Sequence, residues 1–157
     1  PWEATRGLGY SFGYNQAEGE EHSLSGAELI RLLVDVVAKN GNLLINVGPR
    51  ADGSIPELQA ASMAEMGRWL RAHGEAIHGT RPWIRFGDGA VRYTTKGDTV
   101  YALLDPAVGE LAVPQELAGR RLRWLGADGE LTVEAGDRVA VPHVVRDEPV
   151  AVAALVP

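Results

Sequence analysis

Asn42-Leu43-Leu44-Ile45-Asn46-Val47 forms an apolar run of strand length, closed by Gly48-Pro49. It lacks the two-residue alternation of a half-solvated strand, so it predicts a strand covered on both faces, as in parallel α/β sheets. Its flanks agree. Upstream, Ser25 and Glu28 make a capping-box pair, and Ile30, Leu33, Val34 and Val37 share one helical stripe. That helix should end near Lys39, with Asn40 and Gly41 supplying a left-handed stop. Downstream, Ser54, Pro56 and Glu57 announce a second helix, with Ser54 as cap and Glu57 completing a second capping box. It should run to about His73, stop at Gly74, and bury Leu58, Ala61, Met66, Trp69 and Leu70. With a strand near Trp2, the order strand, helix, strand, helix is the repeating unit of parallel α/β folds.

Beyond Pro82 the period drops to two. Val91, Tyr93 and Thr95 alternate, Gly97-Asp98 makes a two-residue hairpin turn, and Thr99 to Leu104 returns. Turns at Asp105-Pro106, Ala127-Asp128-Gly129 and Gly136-Asp137 separate further short Val- and Leu-rich runs. This half is expected to be antiparallel and sandwich-like, so the chain divides near Thr80 to Trp83 into domains 1–82 and 83–157.

Composition narrows the partners. A net charge of −6, without clustered Lys or Arg, argues against nucleic acid and anionic membrane. With no Cys there is neither a disulfide nor a thiolate metal site, and the compartment stays open. No apolar run reaches membrane-span length and the first residues lack the pattern of a signal peptide, so a soluble product is expected. Pro1 in place of an initiating Met points to a truncated, processed or trimmed start.

Three groups of residues, in order, carry a resemblance: Trp2-Glu3, Ser11-Phe12-Gly13-Tyr14-Asn15, and Gly41 to Pro49 with Asp52-Gly53 and Ile55-Pro56. Gly67-Arg68-Trp69-Leu70, Gly74-Glu75-Ala76-Ile77 and Gly79 to Trp83 continue it. Together they resemble the end of the catalytic barrel of α-L-fucosidases of glycoside hydrolase family 29, over roughly the first 83 residues; the remainder is similar to the family's C-terminal β domain more loosely. The resemblance implies the last strand–helix units of a TIM-like barrel plus an antiparallel β-sandwich. It further implies a retaining hydrolase that releases terminal α-L-fucose from fucose-containing glycans or glycosides, without metal or organic cofactor. Such chemistry needs two carboxyl groups about 5–5.5 Å apart. In the family the Asp nucleophile and the acid/base Glu lie upstream of the Trp-Glu motif, outside this sequence.

Several residues invite functional and structural readings alike. Trp2-Glu3 should end a barrel strand, where such enzymes place substrate-facing groups; the alternative for Glu3 is a pair with Arg6 that holds the loop. By resemblance Phe12 contacts the apolar face and methyl group of fucose, with Trp2, Tyr14 and Asn46 as further substrate-binding candidates; packing of the barrel rim and a structural hydrogen bond from Asn46 are the alternatives. Glu18, Glu20 and Glu21, beside His22, form an acidic cluster that supplies, with Glu3, the candidate catalytic carboxylates of a chain acting alone; a solvated acidic turn is the plainer reading. His73 and His78 flank a helix stop without metal-ligand spacing, Gly7-x-Gly9 opens no dinucleotide fold, and Trp69 and Trp83 read as packing. An open barrel end would leave edge strands and an apolar face uncovered, so the chain is expected to form a homo-oligomer. The alternative to a fucosidase fragment or short oligomeric fucosidase is a non-catalytic carbohydrate-binding or structural module.

Overall fold

The computed structural model of the chain describes residues 2–157. Strand β1 (Trp2–Gly7), helix α1 (Gly26–Ala38) and strand β2 (Gly41–Asn46) make one parallel unit, with Trp2 opposite Gly41 and Gly7 opposite Asn46. The capping box forms as expected: Ser25 Oγ accepts the Glu28 amide at 3.3 Å, and the Glu28 carboxylate accepts the Ser25 amide at 2.9 Å. Asn40 takes the left-handed conformation, at φ 64°, that lets the chain leave α1 and enter β2.

Coverage of β2 on both faces is not found. Burial alternates along it and Leu44 is 49% exposed. The physical reason is that β1 and β2 are the whole of this sheet. Leu43 lies toward Leu33 and Val37 of α1, whereas no layer among the described residues covers the face carrying Leu44.

Helix α2 (Glu57–His73) departs from expectation at its start and on its buried face. Ser54 does not cap it, because Asp52, two residues away, takes both the Ser54 amide (2.9 Å) and hydroxyl (2.7 Å) in a local turn. Glu57 turns to Arg50 instead of completing a box. Leu58 and Ala61 are exposed, and the buried stripe is Gln59, Ser62, Trp69 and His73. Rotating the helix this way lets Gln59 accept the Gly48 amide (2.8 Å) and Ser62 donate to the Leu24 carbonyl (2.8 Å), satisfying two loop groups that would otherwise be stranded. At the far end Gly74 is right-handed, and the chain turns at Gly79, φ 72°.

The second half is an antiparallel sheet of six strands, β3 (Arg81–Asp88), β4 (Val91–Lys96), β5 (Thr99–Leu104), β7 (Arg121–Trp124), β8 (Leu131–Thr132) and β10 (Ala151–Val156), in the order β3-β4-β5-β10-β7-β8. The β4–β5 hairpin turns at Gly97-Asp98, with Gly97 at φ 57°. Central β10 is buried on both faces. Ala151, Ala153 and Leu155 join Val100, Ala102, Leu122 and Trp124 beneath a short ribbon of β6 (Glu110–Ala112) and β9 (Arg138–Ala140) with its flanking loops. Val152 and Ala154 face Ile30 and Val34 of α1 and Trp69 of α2. The Trp69 indole N–H donates to the Val150 carbonyl at 2.9 Å, hooking α2 to the strand entrance.

His73 sits in the same joint. Its ring is 1% exposed, rests 5.2 Å from Trp69, and has neither nitrogen hydrogen bonded; the Glu148 carboxylate is 3.9 Å away. Burial lowers its pKa, which Glu148 only partly opposes. The unfolded chain therefore takes up a proton near pH ~6.5 that the folded chain resists. Stability should be intact above that pH, decline as the pH falls toward the lowered folded value, and level off beneath it. His73→Phe is expected to abolish this part of the pH dependence and to add about 1 kcal/mol at pH 6, since no unpaired nitrogen is then buried. Urea titrations of both proteins between pH 5 and 8 check this; parallel curves would remove His73 as the cause.

Candidate functional site

Because β1 and β2 are parallel, the segments that follow them, residues 8–24 and 47–56, emerge side by side at the carboxyl ends of the strands, the usual place for ligand-facing groups in α/β folds. The first segment is pinned at both ends: the Leu8 amide donates to the Asn46 carbonyl (3.0 Å) and the Leu24 amide to the Leu8 carbonyl (2.9 Å). Leu8 itself is fully buried.

Between the pins the loop is held from beneath. The Asn46 side-chain amide donates to the Phe12 carbonyl. Buried Gly48 lies so close to the Gly13 and Tyr14 backbone that an added Cβ would stand 2.7 Å from the Gly13 oxygen and the Tyr14 nitrogen. The Gly48 amide is in turn fixed by Gln59. Phe12, 60% exposed, is thus a large ring presented to solvent on an anchored backbone. Tyr14 lies beneath the Arg50 guanidinium, 5.8 Å from ring centre to carbon.

The acidic residues of the loop are ordered too. Glu18 accepts the Ser11 amide at 2.7 Å, and hydrogen bonds from Ser11 hold its carboxyl below the usual range. An ionised carboxylate supplied with donors is suited to accept a hydrogen bond rather than to deliver a proton. Glu20 and Glu21 belong to a single helical turn, Glu20–His22, on the same loop. Glu21 lies 3.2 Å from His22, whose ring meets Tyr10 edge-on at 5.6 Å.

Trp2 and Glu3 lie elsewhere. They begin β1 instead of ending it, so about five residue steps, roughly 16 Å, separate Trp2 from Gly7 and the loop beyond. The strand continues through Thr5 and Arg6 because these pair with Leu44 and Ile45. The Trp2 indole N–H donates to the Lys39 carbonyl at 2.9 Å, and its ring covers Gly41. Phe12, Tyr14, Asn46 and Glu18 therefore come together on one rim, with Glu20 and Glu21 on the same loop, whereas Trp2 and Glu3 do not join them.

Three residues that shape the rim escaped sequence reasoning: Gly48, Gln59 and Arg50. Gly48 was legible only as a strand stop. Gln59 carried a weak signal, since it falls on the helical stripe of Ser62 and Trp69, but a polar residue next to Leu58, itself expected on the inner face, reads more simply as solvated. Among the described residues no three His, Asp or Glu side chains converge on a metal position, and no helix is long and apolar enough to cross a membrane.

Known proteins match along the whole chain. A family model described as Alpha-L-fucosidase matches residues 1–75. The chain is 36% identical over 140 residues to an α-L-fucosidase of Dictyostelium discoideum, and 31% identical over 138 residues to the tissue α-L-fucosidase of Homo sapiens. These alignments take in 85% and 83% of this chain and 30% of each relative, so the chain spans about 30% of the length of the curated relatives it matches. Among solved structures, Thermotoga maritima α-fucosidase in complex with fucose superposes with a TM-score of 0.86 at 36% identity, over 99% of this chain and 40% of that one. Isoenzyme 1 of Paenibacillus thiaminolyticus, also an α-L-fucosidase, gives 0.86 at 30% identity over 99% and 39%. With the strand–helix unit, the anchored Phe12 loop and the antiparallel sheet all inside these matches, the chain belongs to the α-L-fucosidase family and corresponds to the C-terminal portion of its members.

Proposed function

We propose that the chain works as the C-terminal portion of a retaining α-L-fucosidase, with residues 1–82 closing a (β/α) barrel and residues 83–157 forming the β domain packed beside it. The observation that carries this reading is the loop at the carboxyl ends of two parallel strands, which holds Phe12 exposed over a backbone fixed by Asn46 and Gly48. A half-covered two-stranded parallel sheet supports the barrel, because such a sheet is stable only when further strands and a second layer complete it.

In this reading Phe12 covers the apolar face of a terminal fucose, Tyr14 extends the aromatic surface, and Asn46 holds the loop in register, while Trp2 braces the start of β1. The nucleophile and the acid/base carboxyl come from barrel strands outside these residues, about 5–5.5 Å apart. Glu3, Glu18, Glu20 and Glu21 become catalytic candidates only for a chain that turns over substrate alone. The same open sheet gives the isolated chain a reason to self-associate: covering apolar surface and pairing edge strands favours a closed dimer or ring. Light scattering at micromolar concentration tests that part, and a stable monomer of 16.8 kDa would reject it.

Stacking of one aromatic ring on a sugar face contributes about 1–3 kcal/mol. Phe12→Ala is therefore expected to weaken fucose binding by roughly 10- to 100-fold, measured by calorimetry. Unchanged affinity would take Phe12 out of the site.

A further inference from the structure

Beside the Phe12 rim lies a second hollow of about 180 Å³, walled by Tyr14 and Glu18 from the first loop, by Arg50 from the second, and by Glu57, Leu58 and Gln59 from the first turn of α2. Its size is that of about six water molecules, at ~30 Å³ each, which suits one sugar ring and little more.

Its polar groups are arranged in advance. Arg50 meets Glu57 end-on, Nη2 to Oε2 at 2.6 Å and Nη1 to Oε1 at 3.4 Å. Nη1 is also shared with the Ser54 hydroxyl and the Ile55 carbonyl, each at 3.4 Å. The guanidinium is therefore held by several contacts, lies over the Tyr14 ring and still reaches solvent. It keeps donors beyond those used, and the highly exposed Glu57 carboxylate keeps free lone pairs. A fixed donor fork next to a fixed acceptor is the arrangement that reads two neighbouring hydroxyls, one accepting from the guanidinium and one donating to the carboxylate. Tyr14, 47% exposed, leaves ring surface not covered by Arg50 for the apolar side of a pyranose. Two carboxylates against one guanidinium leave the hollow net negative, which favours a neutral polyol over a phosphate or sulfate.

Position joins the hollow to the fucose rim. Tyr14 is two residues from Phe12, so their Cα atoms are at most about 7 Å apart, and the Gly13 link between them is held against Gly48. A sugar attached to a fucose resting on Phe12 reaches Tyr14 without any movement of the loop.

We infer that this hollow binds the sugar to which the fucose is linked, with Arg50 and Glu57 reading its hydroxyls and Tyr14 carrying its ring, so that these three side chains set which fucosides are preferred. This rests on the fucosidase reading proposed above. The test is a titration of the 157-residue chain, followed by amide chemical shifts, with three probes: L-fucose, galactose and an α-L-fucosyl-galactose disaccharide. Fucose should shift the amides of Phe12 and Gly13; the disaccharide should add Tyr14, Gln16 and Leu58 and bind about tenfold more tightly, the contribution expected of one further hydrogen-bonded ring. In Arg50→Ala, and in Glu57→Gln, which keeps the side chain's shape, the ratio of disaccharide to fucose affinity should fall toward one. Fucose binding at Phe12 with no added shifts from the disaccharide, or a ratio unmoved by both substitutions, overturns this inference alone. Failure of both fucose and disaccharide to shift any residue of the rim overturns the fucosidase reading and this inference together. Galactose alone binding the hollow as tightly as the disaccharide would show that it is not coupled to the fucose rim.

Discussion

Trp69→Ala is expected to remove about 3–5 kcal/mol of stability, a large share of what a chain of this size possesses. Two losses combine. The indole fills the joint between α2, α1 and the sheet, among Ile30, Val34, Leu103 and Val152, and its N–H is the partner of the Val150 carbonyl. Truncation leaves a cavity in close-packed surroundings and a buried carbonyl without a donor. Trp69→Phe separates the two, keeping most of the volume and losing the donor, and should cost about 1–3 kcal/mol. Urea denaturation gives both values; a loss under about 1 kcal/mol for the alanine variant would mean that the helices are held to the sheet by something else.

Gly48→Val carries the largest expected effect on binding. The atoms a side chain would strike are backbone, the Gly13 oxygen and the Tyr14 nitrogen, so no rotamer change can make room and the loop itself must lift. Overpacking of this kind costs about 1–3 kcal/mol. It should also move Phe12 and Tyr14 off the rim, lowering fucose affinity by at least the roughly 10-fold expected for removing the ring. Gly48 does not use a left-handed φ, so the effect isolates packing from backbone strain. Gly13→Ala is the matched comparison: its Cβ would meet nothing within 4 Å, and the fold of the loop should survive it. Amide shifts of residues 11–15 in the two variants check the contrast, and an undisturbed loop in Gly48→Val would discard the proposed support.

What the sequence made legible was local. The capping box of Ser25 and Glu28, the hairpin at Gly97-Asp98 and the left-handed Asn40 are decided by residues within a few positions of each other, and each is found where the pattern places it. The antiparallel character of the second half follows from turn spacing in the same way. Misreadings arose where a competing partner decided, whether near or far along the chain. Ser54 looks like a cap until Asp52 takes its hydroxyl. Leu58 and Ala61 look like the inner face of α2 until Gln59 and Ser62 are drawn inward by unsatisfied groups at Gly48 and Leu24. The apolar run through Leu44 has the composition of a doubly covered strand, yet coverage is a property of neighbours that composition does not name.

The site divides likewise. Phe12 and Tyr14 stood out as aromatics beside a glycine, and of the two readings of Asn46 the structural hydrogen bond is present, made to the Phe12 carbonyl 34 residues away in the chain. The acidic cluster suggested candidate catalytic carboxylates, whereas the Ser11 donors hold the Glu18 carboxyl below its usual range, a consequence of a loop closed on itself. Trp2 and Glu3 illustrate the reverse hazard: a motif can be recognised correctly while its position along the strand is misjudged, since strand ends depend on pairing with β2.

The central claim is that these residues furnish the fucose-facing rim of an α-L-fucosidase whose reacting carboxyl groups lie on barrel strands beyond them. Its most direct test is hydrolysis of an aryl α-L-fucoside, read together with the intact mass of the species that turns over. Turnover is expected from a polypeptide that joins these residues to the strands bearing the Asp nucleophile and acid/base Glu, and none from the 16.8 kDa chain alone. Turnover by the 16.8 kDa species that disappears on changing Glu3, Glu18, Glu20 or Glu21 would contradict it, because the reacting pair would then lie within this chain.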